Sequence, residues 1–589
     1  MSQLSTDYHT TDPLQALGPS VLLQVFHNLP LQDLCRCSLV SPAWKLLIDW
    51  YSTSIFRGLA ERIGISEKRL KGLKSIEAGS LISACFDLCH ADPRILSRDS
   101  GFRIDWRGVC EDTIVTRKNW RSGRARNGWL TPDRNTIWRI KVDPEEQVLY
   151  SVSRVDGIQS SSVNPAADQS LLFEYIDAAP YSHMEFTSGY IIFNVGLINS
   201  YEVHLTPPAV QRLTPNQRRA LPLADESEMY GSGYSHTLGI RWERKALSDD
   251  IPPRGHLTYY KTIRPPTDCW AFRARVDREC QEEERPVVGL AGEQAIYIYG
   301  LADGGLESIP IRSPLLRSGI NYIEFDDDHV FICGRHSVHI YSRKTKQLVL
   351  TLPSVSPVDA TVNIHTAYCS SFPKEPINVI LPTFEGAARV AKVNLKGSCS
   401  SKEHFRSQQM TLSRSVLSDR RGFTACHYTS NDLFCAHHGG TLWVLRDYQL
   451  VLALESEEKR QTALSKNLLP IMFGNSINQL YTNEERVVFN TNSQLFILDT
   501  SALPRPPYDR PFTSSSSDSY PPIPLLSLLD VHPKGLKQSS CLQMDGAKIY
   551  LVYWALGEND AGGVVDENGE AHLPPEETIV EFAWLIAQE

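Results

Sequence analysis

The sequence predicts a multidomain chain in which a small all-α module and a helical linker precede an all-β propeller, counted at seven blades with eight as the alternative. Three observations predict it. At 589 residues the chain is far longer than one core accommodates, so at least two domains are required. Up to about residue 130 the apolar residues recur at helical spacing, whereas after Asn135 they fall in short alternating runs separated by turns. Those runs recur about every 40 to 55 residues, near the length of a four-stranded blade.

Composition narrows the function. Hydrophobic residues make up 42% and charged residues 22%, which suits packed cores rather than disorder. A net charge of -9 is spread along the chain, so no basic face for nucleic acid is expected. The 13 cysteines form no pair of CxxC knuckles and read as thiols of a reducing compartment. The start, MSQLSTDYHTTDPLQ, has no charged and then apolar leader. No apolar run reaches the roughly 18 residues that span a bilayer. The expected location is therefore cytoplasm, nucleus or both, with no membrane partner.

The front module carries the clearest signal. In LGPSVLLQVFHNLPLQDLCRCSLVSPAW, from Leu17, the residues Leu22, Leu23, Val25, Phe26 and Leu29 place an apolar stripe on one short helix that Pro30 ends. A second helix runs through Leu34, Cys37 and Val40, and Ser41-Pro42 separates it from a third, Ala43 to Trp50. Three short helices leave more apolar surface than they can bury among themselves, so a partner is expected.

This stretch resembles the F-box. Leu17, Pro19, the VLLQVF helix, Leu29, the Asp33-Leu34 pair, Val40 and Trp44 fall where that family places them, although Leu17-Gly18-Pro19-Ser20 departs from the common Leu-Pro-x-Glu opening. The resemblance implies docking on Skp1 through Leu17, Pro19, Leu22, Val25, Phe26, Leu29, Leu34, Val40 and Trp44. Through Skp1 it implies a cullin and a RING subunit. From Ile104 to Arg124, Trp106 and Asn119-Trp120-Arg121 resemble the join between an F-box and WD repeats. The basic residues there read as a solvated helix and loop.

Behind the linker, successive strand runs end near Tyr299, Tyr341, Val393, Val444 and Ile497. Trp-Asp endings and Gly-His openings are missing, so any likeness to WD repeats is degenerate. The stretch 206–268 fits no blade, the low-complexity stretch 500–524 reads as a flexible loop, and EETIVEFAWL at the end is expected to pair with the first strand and close the ring. The division that follows is a disordered start at 1–12, an F-box at 13–58, a helical linker at 59–130 and a propeller at 131–589.

No catalytic motif is present: GxxxxGK[ST], GxGxxG, GxSxG and HExxH are all missing from the sequence. Cys426, His427, Cys435, His437 and His438 read as packed side chains rather than metal ligands, and no cofactor or metal is expected. Related F-box receptors read phosphorylated segments with arginines at blade turns. By that resemblance Arg154 and Arg335 are the candidates for substrate contact. The expectation is a non-catalytic substrate receptor of an SCF (Skp1-cullin-F-box) ubiquitin ligase with an unidentified protein target. A Skp1-binding scaffold that works without a cullin is the alternative.

Overall fold

In a computed structural model, the described residues are 17–63 and 106–122, then 127–222, 251–353 and 422–506 with short gaps, and strands at 360–366, 377–382, 388–396, 406–412, 520–528, 539–544, 549–554, 564–565, 571–572 and 577–582. The chain divides into two compact units, Met1–Asn119 with Leu585–Glu589, and Trp120–Trp584.

The helical unit starts with α1 (Pro19–Asn28), α2 (Leu31–Ser38) and α3 (Pro42–Trp50). Proline occupies the first turn of α1 and of α3, where its missing N–H costs nothing. The Ser41 hydroxyl caps α3 by accepting from the Trp44 amide at 3.3 Å. Two further helices, α4 (Ser52–Arg62) and α5 (Trp106–Ser122), complete the core. Leu22, Phe26, Leu34, Ile48, Phe56 and Trp106 are buried together there. The Cys110 thiol donates to the Phe56 carbonyl, and the Arg117 guanidinium donates to that of Ile63. The linker thus supplies part of the core that the three front helices lack.

The second unit is a β-propeller. The first strands of its sheets are Ile137–Asp143, Met184–Thr187, Cys269–Cys280, Ile320–Phe325, Phe423–Tyr428, Ile477–Thr482 and Ser539–Met544. Each neighbours the next, and the last neighbours the first, so the ring is closed. Six sheets are four-stranded blades, against the seven expected; the remaining place in the ring is filled by a six-stranded sheet. Four of its strands follow the antiparallel blade order. The other two, Ile377–Pro382 and Ala388–Lys396, add to its outer edge through a parallel pairing with Tyr520–Leu528. The run ending at Val393 is therefore an edge hairpin rather than a blade, because alternation identifies a hairpin without identifying the sheet it joins.

The run from Leu348 is the fourth strand of its own blade, Leu348–Pro353. Within the unassigned stretch at 206–268, Thr258–Ile263 is the fourth strand of the second blade. Ring closure is as expected: Glu577–Phe582 pairs with Asn127–Leu130, the first strand of the unit, and with Ile549–Trp554. The first and last strands of the propeller unit thus share one blade.

One irregularity repeats. Register shifts fall after Ile137, Cys269, Ile320, Phe423, Ile477 and Ser539, so six first strands carry a bulge at their second residue. A bulge re-aims the extra side chain and twists the strand. The residues so displaced are Trp138, Trp270, Asn321, Thr424, Asn478 and Ser540.

Candidate functional site

Each unit presents one site. On the helical unit, residues of the apolar stripe take opposite sides. Leu22, Phe26 and Leu34 lie inside the core, and Leu29 and Trp44 pack half-buried against it. Leu17, Val25 and Val40 face out. For Pro19 only the backbone, at the start of α1, is described. Val21, Leu39, Leu46 and Trp50 are also exposed, Trp50 to 78% and Leu39 to 84%. Among the described residues, seven of the twelve large exposed apolar side chains fall between Leu17 and Trp50. Val21 with Val25, and Leu46 with Trp50, are spaced four apart and so share a helix face.

In the propeller the site is the mouth of the central channel, to which all seven first strands contribute. Arg139, Lys141 and Arg273 line it together with Glu185, His183, His427, Tyr322, Gln479 and Gln543. Glu185 gathers three partners: Lys141 Nζ at 3.0 Å, His183 Nε2 at 2.9 Å and Arg273 Nη1 at 3.1 Å. Arg273 Nε continues to Glu324 at 3.1 Å, which His427 Nδ1 also reaches at 3.1 Å. The chain of contacts therefore crosses several blades.

Burial sets the protonation of this network. It would raise the Glu185 carboxyl, but the Arg273 and Lys141 charges outweigh it and hold the group well below the usual carboxylate range. Burial also lowers the Lys141 ammonium, against the pull of Glu185. His183 is pushed down to about 4 by burial despite its bond to Glu185, so it is neutral near pH 7. The network then sets three cationic side chains, Arg139, Lys141 and Arg273, against the two carboxylates of Glu185 and Glu324. At the rim of the mouth Trp270, displaced by the bulge, is 64% exposed.

Strand direction alternates within each blade, so the turn between second and third strands returns to this same end. Arg335 occupies that turn in the fourth blade, between His329–Gly334 and Ser337–Ser342, and is half-buried. Its backbone lies against Gly422, at the entrance to the next blade. Arg154 lies outside the described residues. The cysteine and histidine set splits: Cys426 and Cys435 are buried as free thiols, and His427 joins the channel network. No group of metal-ligating geometry occurs among the described residues. No described helix is long and apolar enough to cross a membrane.

The channel network was not legible beforehand, because Lys141, Glu185, Arg273, Glu324 and His427 come from five separate strands. The only signal was charge at interior-facing positions of otherwise apolar runs, as in MEFT and INYIEF.

Comparison with known proteins places an F-box domain at residues 14–54. No curated protein matches the sequence. Among solved structures the chain is similar to U3-55K, at 9% identity over 78% of this chain and 99% of that one, with a TM-score of 0.38. It is similar also to the β-propeller domain of Myceliophteria thermophila Cps50 (Swd1), at 9% identity over 78% and 100% with a TM-score of 0.37. The computationally designed Ika8 protein matches at 11% identity over 73% and 95%, with a TM-score of 0.32.

Proposed function

We propose that the protein is the substrate-recognition subunit of an SCF-type ubiquitin ligase, with its F-box on Skp1 and a target protein on its propeller. F-box domains bind Skp1 generally, and a propeller suits protein–protein interaction. The observation that carries the reading is the concentration of exposed apolar side chains on the matched residues, above all Val25, Leu39, Val40, Leu46 and Trp50. Apolar surface of this density is a partner site, and amphipathic helices are read by complementary apolar grooves. On the propeller, the cationic channel mouth and the exposed Trp270 offer a target charge complementarity and an aromatic anchor. The mechanism is proximity: the captured target is held at high effective concentration beside the ubiquitin-transferring subunits.

The test is affinity purification of the intact chain beside a Val25→Glu/Trp50→Glu variant, with Skp1 and cullin quantified. Both positions are exposed, so the variant keeps its fold. Loss of Skp1 and cullin from a variant with an unchanged melting profile is the expected result. Skp1 without cullin on the intact chain would instead identify a scaffold, and neither protein on the intact chain would overturn the reading.

A further inference from the structure

Three thiols meet where the fourth and fifth blades pack together. Cys333 lies on His329–Gly334, Cys426 on Phe423–Tyr428 and Cys435 on Leu433–His437, and all three are buried in one apolar cluster with Phe331, Trp443 and Tyr448. None is in a disulfide, and none belongs to the channel lining. Cys426 stands directly opposite Cys435 in the antiparallel ladder. Directly opposed residues have Cα atoms about 4.5 to 5.5 Å apart, inside the roughly 4.4 to 6.8 Å that a disulfide spans. The three thiols lie within electrostatic reach of one another.

We propose that Cys426 is an oxidation site for hydroperoxides, whose product is a reversible cross-strand disulfide with Cys435, and that Cys333 is its alternative partner across the blade boundary. In the first step the Cys426 sulfur attacks one peroxide oxygen and the O–O bond breaks. A sulfenic acid forms, and the second oxygen leaves as water from hydrogen peroxide or as the alcohol from an organic hydroperoxide. In the second step the Cys435 sulfur attacks the Cys426 sulfur, the S–O bond breaks, and water leaves with the thiol proton. Two thiols lose two electrons, and the peroxide gains them. Burial raises the Cys426 thiol, but its interactions with the Cys333 and Cys435 thiols outweigh this and lower it, while both partners are raised. This favours the nucleophilic thiolate. Peroxide is little larger than water and reaches the cluster through local opening of the blade.

The chain itself provides the readout, since Gly422 to Arg446 contains both cysteines and no internal Lys or Arg. The reduced, full-length protein is treated with hydrogen peroxide, quenched with iodoacetamide in denaturant, and digested with trypsin without reductant. The expected product is the 422–446 peptide, unalkylated and two hydrogens lighter than the dithiol, increasing with peroxide dose and reverting with dithiothreitol. In Cys435→Ser the expected product joins this peptide to the one that carries Cys333; if no such link forms, the alternative-partner role of Cys333 fails. The disulfide proposal is overturned if the wild-type peptide stays doubly alkylated at doses that oxidise the more accessible Cys35 and Cys37. Sulfinic acid at Cys426 with the Cys435 thiol intact would overturn it equally. The wild-type measurement decides the main point even if the variant does not fold.

Discussion

Val25 and Phe26 are adjacent in the sequence, and both belong to one apolar stripe, yet they do different work. Phe26 is fully buried and meets the Trp44 ring edge-on at 5.7 Å, whereas Val25 is 45% exposed. Phe26→Ala should cost about 3 to 5 kcal/mol, the usual range for emptying an aromatic site, while Val25→Ala should shift stability by less than about 0.5 kcal/mol. Chemical denaturation of both variants, with Skp1 capture measured in parallel, separates the two roles: Val25→Ala is expected to weaken capture without weakening the fold. Charged residues divide in a similar way. The Glu185 carboxyl is held low in the folded protein by Arg273 and Lys141, so its contribution is present above its unfolded value near 4.5 and is lost as pH falls below it. Glu185→Ala leaves Lys141 and Arg273 buried without this partner, and a loss of about 3 to 5 kcal/mol is expected near pH 7. Glu146 has the opposite sign. Burial, reinforced by the nearby Asp143 carboxylate, raises its carboxyl from 4.5 to about 8. Folding stability from this site therefore declines as pH rises from about 4.5 to 8. Glu146→Gln should flatten that part of the stability profile, read as denaturation midpoints across the same range.

At the scale of elements, the blades share a device that no strand pattern announces. The turn leaving the first strand opens with a short polar side chain that accepts backbone N–H groups two and three residues on. Asp143 takes those of Glu145 and Glu146, Asp326 those of Asp328 and His329, and Thr429 those of Asn431 and Asp432. Asn483 does the same for Glu485 and Arg486. These are the self-bonded turns that Asp, Asn and Thr favour. Once four are seen together, the signal is legible in DPEE, DDDH, TSND and NEER, each placed directly after an apolar strand. Thr429→Ala should cost about 1 to 3 kcal/mol, since it strips two amides, that of Asp432 buried, of their acceptor. The turn at Arg335 has a tighter requirement on its neighbour. Gly422 has a φ of +69°, and an added Cβ would collide with the Arg335 backbone. Gly422→Ala should therefore destabilise the fifth blade and displace Arg335, which hydrogen exchange over 423–437 would detect. Hairpins were readable throughout because alternation and turns are local properties. The place of the 377–396 hairpin was not, since joining a sheet edge is a choice between distant partners.

For the whole molecule the decisive contact is the return of the propeller's last strand to its first. Asn127–Leu130 is the outer strand of a blade whose other three strands come from 539–582. A chain truncated after residue 576 lacks Glu577–Phe582 and leaves Asn127–Leu130 without its ladder partner, exposing an edge that closure otherwise removes. The expected outcome is a lower, less cooperative thermal transition and rapid proteolysis near residues 127–143. An unchanged transition would show that closure contributes little to stability. By itself the sequence determined the α-then-β order, the apolar front helices, the strand runs and the closing strand, because each rests on periodicity or turn chemistry within a few residues. Only the tertiary structure decided which apolar residues face inward, how an extra hairpin joins a blade, and how Lys141, Glu185, Arg273, Glu324 and His427 converge on one channel. Those outcomes depend on contacts between residues tens to hundreds of positions apart, and a local pattern carries no information about such pairings.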